Sequence, residues 1–110
     1  MRVAFIGGLD RLADALTEAG RSAGIDVEVH TGNVKGRGAD ALEAIVRRSD
    51  HVIVVTGTNS HGGVRLAKQY AGGDTRVWIV RACGLNLAKR VLHEVGHRDE
   101  STLRQLARAA

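Results

Sequence analysis

The stretch that decides the fold is HVIVVTGTNSHGG, residues 51–63. Five residues, His51 to Val55, form a nearly continuous apolar run, as expected of a strand covered on both faces. The run stops at Thr56-Gly57. Ser60 then reads as the N-cap of a helix, with His61 at its first position and Gly62-Gly63 in its first turn. A strand that hands over to a helix in this way is half of a strand–helix–strand unit, and the same hand-over is expected elsewhere in the chain.

It recurs. RVAFI (2–6) and RVWIV (76–80) are further apolar runs, and DVEVH (26–30) alternates, which suits a sheet edge. Leu9, Leu12, Ala13, Leu16 and Ala19 keep a helical spacing that Gly20 to Gly24 should end. Leu42, Ile45 and Val46 mark a shorter helix; Val64, Ala67 and Tyr70 or Ala71 a third; Ala88, Val91, Leu92 and Val95 a fourth. Asp99 or Ser101 would cap a last helix carrying Leu103, Leu106 and Ala107. The glycine-rich loop TGNVKGRGA (31–39) reads as the least structured piece. Alternation of strands and helices predicts one α/β domain. Its four-stranded parallel sheet should have the Rossmann-like or flavodoxin-like order 2-1-3-4, with helices on both faces.

Composition agrees with a single small core. The chain has 110 residues, 44% hydrophobic and 25% charged, with Phe5, Tyr70 and Trp78 its only aromatics. No apolar run approaches the ~20 residues of a membrane span, MRVAFIGG reads as a strand rather than a leader, and the lone Cys83 excludes an internal disulfide. A cytoplasmic protein is expected. The fourth strand would lie on an apolar edge, which a second copy in a homodimer, or the basic last helix TLRQLARAA, should cover.

Parallel sheets of this order bind ligands where the strand order reverses, at the carboxyl ends of the first and third strands. The residues there are Gly7-Gly8, then His30, Thr31 and Gly32, then Thr56 to His61, then Arg81 to Gly84. The strands ending in His30 and Val55 flank the one ending in Gly7-Gly8, so their ends should stand about 9–10 Å apart. The expected site is a notch floored by glycine and walled by His30 and His61. Backbone amides at Gly8 and at Ser60 to Gly63, the Thr56, Thr58 and Asn59 side chains, and Arg81 would suit an oxyanion. Lys35 and Arg37 would close over it. The candidate binding residues are thus Gly7, Gly8, His30, Thr56, Asn59, Ser60, His61, Gly62 and Arg81, for a small anionic or phosphorylated ligand.

Other chemistries fit less well. A dinucleotide fingerprint fails because Leu12 stands at the third glycine and His30 where an acid belongs; no phosphate-loop motif is present. Ser60 and His61 are neighbours on a helix and cannot face each other as nucleophile and base. His30, His61 and Cys83 are acceptable metal ligands with no recognised spacing. His51, His93 and His97 read as surface residues. No cofactor is implied, and a His-dependent enzyme lacks a carboxylate to orient its base. Nucleic acid is the rival partner. Residues 1–55 carry seven Lys/Arg and eight Asp/Glu, net −1, whereas residues 56–110 carry nine and four, net +5. Lys89, Arg90, Arg98, Arg104 and Arg108 would form the basic face.

VAFIGG at the start, VHTG, DHVIVVTGTNSH and VRACG together resemble the uncharacterised bacterial family called domain of unknown function 2325, to about residue 95. The family's glycine pair, His-x-Gly and Ser-His fall on Gly7-Gly8, His30 and Gly32, and Ser60-His61. The resemblance implies this fold and these positions, and brings no activity with it.

Overall fold

A computed structural model describes residues 1–97 and 100–109. The strands are β1 (Arg2–Ile6), β2 (Asp26–His30), β3 (His51–Val55) and β4 (Arg76–Val80). The helices are α1 (Ala13–Ser22, entered through a 3-10 turn Asp10–Leu12), α2 (Gly38–Arg48), α3 (His61–Tyr70), α4 (Leu85–Gly96) and α5 (Glu100–Ala109). The sheet is parallel throughout, in the order β2-β1-β3-β4. No helix among the described residues is long and apolar enough to cross a membrane.

The two-residue period of a strand sorts β1 and β3 between two cores. Val3, Phe5, Ile53 and Val55 point to one face, where α1, α4 and α5 supply Leu16, Val91, Leu92, Val95, Leu103 and Leu106. Ala4, Ile6, Val52 and Val54 point to the other, against Leu42 and Val46 of α2 and Ala67 of α3. Every residue of β3 is buried, which is why its sequence is a run rather than an alternation.

Two details depart from the sequence pattern. The first helix does not begin at Leu9: Asp10–Leu12 form the tighter turn, with no side chain capping it, and α1 starts at Ala13. It ends at Ser22, within Gly20 to Gly24 as the pattern indicates. Gly20 sits inside α1 because a Cβ there would run into Val27 of β2, and the helix closes in a Schellman motif, Gly24 N–H to Arg21 O (3.1 Å) and Ile25 N–H to Gly20 O (2.8 Å). His51 is buried rather than on the surface. Its ring stacks on Trp78, with centroids 6.3 Å apart, and Nδ1 accepts the indole N–H at 3.0 Å. His93 and His97 are exposed as expected.

The last helix packs onto β4. Leu103 and Leu106 of α5 are buried in the cluster that holds Val80 and against which Trp78 packs. On the opposite face of β4, Ile79 remains 38% exposed. Arg98 and the Asp99 cap lie outside the described residues, as do the side chains of Ser101 and Arg108.

Candidate functional site

The loops after β1, β2 and β3 meet at the rim, as the switch-point rule requires. The expected notch, however, is filled by the protein itself. Thr58 Oγ donates to Gly7 O at 2.8 Å and Asn59 Nδ2 donates to Ile6 O at 3.2 Å, so the loop leaving β3 folds back over the end of β1. A Cβ on Gly7 would stand 2.6 Å from Val55 O, and one on Gly8 2.6 Å from Thr58 Oγ. These glycines clear space for Thr58 and Asn59.

Ser60 caps α3 as the sequence indicates, accepting from Gly63 N–H at 2.8 Å, and also donates to Gly32 O at 2.7 Å. It therefore ties the start of α3 to the loop after β2. The glycines of its first turn have the same explanation. A Cβ on Gly62 would come within 2.8 Å of Val34, and one on Gly63 would collide with Asn59 Oδ1 and Gly32 O. The two glycines of the Ser-His-Gly-Gly stretch let the loop of residues 31–37 lie against the helix.

His30 is occupied in the same lattice. Its Nδ1 accepts Gly32 N–H at 2.9 Å, so Nε2 carries the proton and donates to Gly38 O at 3.1 Å. With both ring nitrogens engaged, His30 holds the β2–α2 loop in place. His61 is different: it is exposed, and its ring makes no hydrogen bond among the described residues. His30 is thus hydrogen-bonded within the loop, whereas His61 is exposed.

What remains open is a groove of about 590 Å³ along α3, lined by Thr56, Asn59, Ser60, His61, Val64, Arg65, Lys68 and Gln69. His61, Arg65 and Lys68 are exposed, belong to none of the ion pairs among the described residues, and share the groove with no acidic side chain. The amides of His61 and Gly62 are not used by the cap and point out of the helix start. Arg65 and Lys68 were missed in the sequence, although His61, Arg65 and Lys68 at i, i+4 and i+7 make a basic stripe. Arg81 is exposed at the end of β4, where its carbonyl holds Gly57 N–H at 2.8 Å, and lies outside the groove lining. Lys35 and Arg37 are exposed on the loop that Val34 anchors at Gly62.

The metal alternative is not assembled. His30 has no free ring nitrogen, and among the described residues no three His, Cys, Asp or Glu side chains stand close enough to hold an ion. Cys83 packs against the α1/α4/α5 core, and burial pushes its thiol from 9.0 up to about 11. A thiol of that kind is neutral at pH 8, with about 100-fold less thiolate than an ordinary cysteine. Ellman's reagent should accordingly label Cys83 in the native protein about 100-fold more slowly than in urea, accelerating as pH rises toward 11. Equal rates in both states would show an ordinary, accessible thiol.

No curated protein and no solved structure is similar enough to the chain to match. Residues 2–95 match the model of the family described as an uncharacterized protein conserved in bacteria, DUF2325. The matched range takes in all four strands, the glycine pair, His30 with Gly32, and Ser60-His61, and the chain therefore belongs to that family.

Proposed function

We propose that the chain is a cytoplasmic binding module for a small anionic or phosphorylated ligand, held in the groove along α3. The observation that carries this reading is the charge of the groove: His61, Arg65 and Lys68 line it, with no carboxylate among the lining residues to neutralise them. An anion there would meet the amides of His61 and Gly62, which bond to no partner among the described residues, and the positive end of the helix. Arg65 can bind two oxygens at once. The Gly7-Gly8 floor, His30 and Ser60 then serve as scaffold, and Arg81, Lys35 and Arg37 lie outside the ligand's direct contacts. The lack of a carboxylate beside His61 favours binding over acid–base catalysis. A homodimer would bury the exposed Ile79 and the open edge of β4; a light-scattering mass of one copy at micromolar concentration would overturn that part.

Thermal melts against inorganic phosphate, pyrophosphate and a nucleoside monophosphate test the reading. An anion present at 100 times its Kd adds about 2.7 kcal/mol, which raises the Tm of a domain this size by roughly 10 °C. Arg65→Ala should remove most of that shift without changing the ligand-free Tm, because the side chain is exposed and unpaired. No shift with any of the three anions would sink the proposal. A polyanion effect that survives Arg65→Ala and depends on Lys89 and Arg90 would transfer the function to nucleic-acid binding by α4.

A further inference from the structure

We propose that His93 and His97 form a second, independent site: a two-imidazole chelate for a late divalent transition metal at the C-terminal end of α4. Four residues apart, His93 in the last turn of α4 and His97 its C-cap, the two rings lie side by side, with centroids 4.1 Å apart and planes tilted by 40°. Both are exposed. His97 Nδ1 lies 2.7 Å from His93 O. A carbonyl can only accept, so Nδ1 carries the proton and the Nε2 lone pair is left for a ligand. Histidines that bind metals are commonly held in just this way, by a hydrogen bond from the other ring nitrogen to a backbone carbonyl. The His93 ring makes no hydrogen bond among the described residues.

The surroundings suit a cation with a hydration shell. The pair borders a groove of about 530 Å³ between α1 and α4, whose remaining lining is Ala19, Ser22, Ala23, Lys89, Leu92 and Gly96. Small side chains leave room for the water that must complete the coordination, since no third protein ligand converges there among the described residues. The negative end of the α4 dipole faces the same spot. Lys89, one turn before His93, opposes binding, but its flexible stem lets the ammonium swing into water. Two neutral imidazoles select nickel, copper or zinc over magnesium and calcium. The family match stops at residue 95, so membership does not supply His97, and the site belongs to this chain rather than to the family as such.

The test is calorimetric titration of the full chain with Ni²⁺ and Cu²⁺ at neutral pH, with Mg²⁺ as control. One ion should bind per chain, and His93→Ala or His97→Ala should each weaken it at least about tenfold, the low end of what even an outer hydrogen-bond partner contributes. The double variant should not bind, with its circular dichroism unchanged. Substoichiometric Cu²⁺ should broaden the amide signals of residues 89–97 and 19–23 before any others. No heat at submillimolar metal, undiminished binding by the double variant, or broadening that begins elsewhere would each overturn the proposal. None of these results bears on the α3 groove, whose test uses anions.

Discussion

Gly32→Ala is expected to cost roughly 3–5 kcal/mol, enough to unfold much of a small domain at 37 °C. Two terms combine. Gly32 has φ +89°, a conformation that a residue with a Cβ resists. The added methyl would also run into Oδ1 of Asn59, with Cγ only 2.7 Å away. Neither side can yield easily. Gly32 is held through its N–H to His30 Nδ1 (2.9 Å) and through its carbonyl, which accepts from Ser60 Oγ (2.7 Å). Asn59 is held by Ile6 O. Gly36→Ala separates the terms. Gly36 has φ +59°, and a Cβ there would meet nothing within 4 Å, so only backbone strain of about 1–2 kcal/mol applies. Urea melts of the two variants should differ by about 2–3 kcal/mol, the packing term together with the extra strain of φ +89° over +59°. The double substitution Gly32→Ala with Asn59→Ala should recover part of that difference, since two side chains competing for one space are not additive. Equal losses at Gly32 and Gly36 would mean that Asn59 moves aside freely and that the rim is looser than its hydrogen bonds indicate.

The contrast between those two glycines shows where a sequence can be read and where it cannot. Strand order follows from local patterns and chain sterics: apolar runs in β1, β3 and β4, alternation in β2, and right-handed crossovers leave one economical arrangement. The start of α3 at Ser60 is also local chemistry, a hydroxyl three residues before the amide that it caps. What fills the rim is not local. Bare glycines mark positions where something comes close, but a sequence does not say whether that is a ligand or residue 59 folding back on residues 6 and 32. His51 misleads for a related reason. It opens a strand and looks like a polar end, yet Trp78, two positions beyond its register partner Arg76, covers it and supplies a hydrogen bond. The basic stripe of α3 was legible by spacing. It was masked because Val64, Ala67 and Tyr70 use the same period to mark the buried side of the helix.

Asn59→Asp should give the second large effect, and one with a definite pH signature. The amide nitrogen donates to Ile6 O at 3.2 Å, while Oδ1 is buried and has no hydrogen-bond partner among the described residues. Gly32 and Gly63 lie close to that oxygen, because a Cβ on either would collide with it. A carboxylate of the same shape turns the donated bond into repulsion between two oxygens and leaves a buried charge with no hydrogen-bond donor among the described residues, which the exposed Arg65 and Lys68 and the start of α3 offset only in part. The group therefore holds its proton, and its pKa in the folded protein rises above the ~3.9 of an exposed aspartate. The folded state then binds more protons than the unfolded state over the interval between the two values, so the variant's stability falls as pH rises through that interval and levels off above it. Below about pH 3 the carboxyl is neutral in both states and its O–H can donate to Ile6 O as the amide does, so the loss there should be about 1 kcal/mol or less. A rise of about two pH units in the folded state corresponds to about 2.7 kcal/mol of added loss by pH 7. The measurement is the difference in unfolding free energy between parent and variant in urea, from pH 4 to pH 8. A difference that shrinks toward neutrality would show that water reaches Asn59 Oδ1, and with it that the space beneath the rim is open to small polar molecules after all.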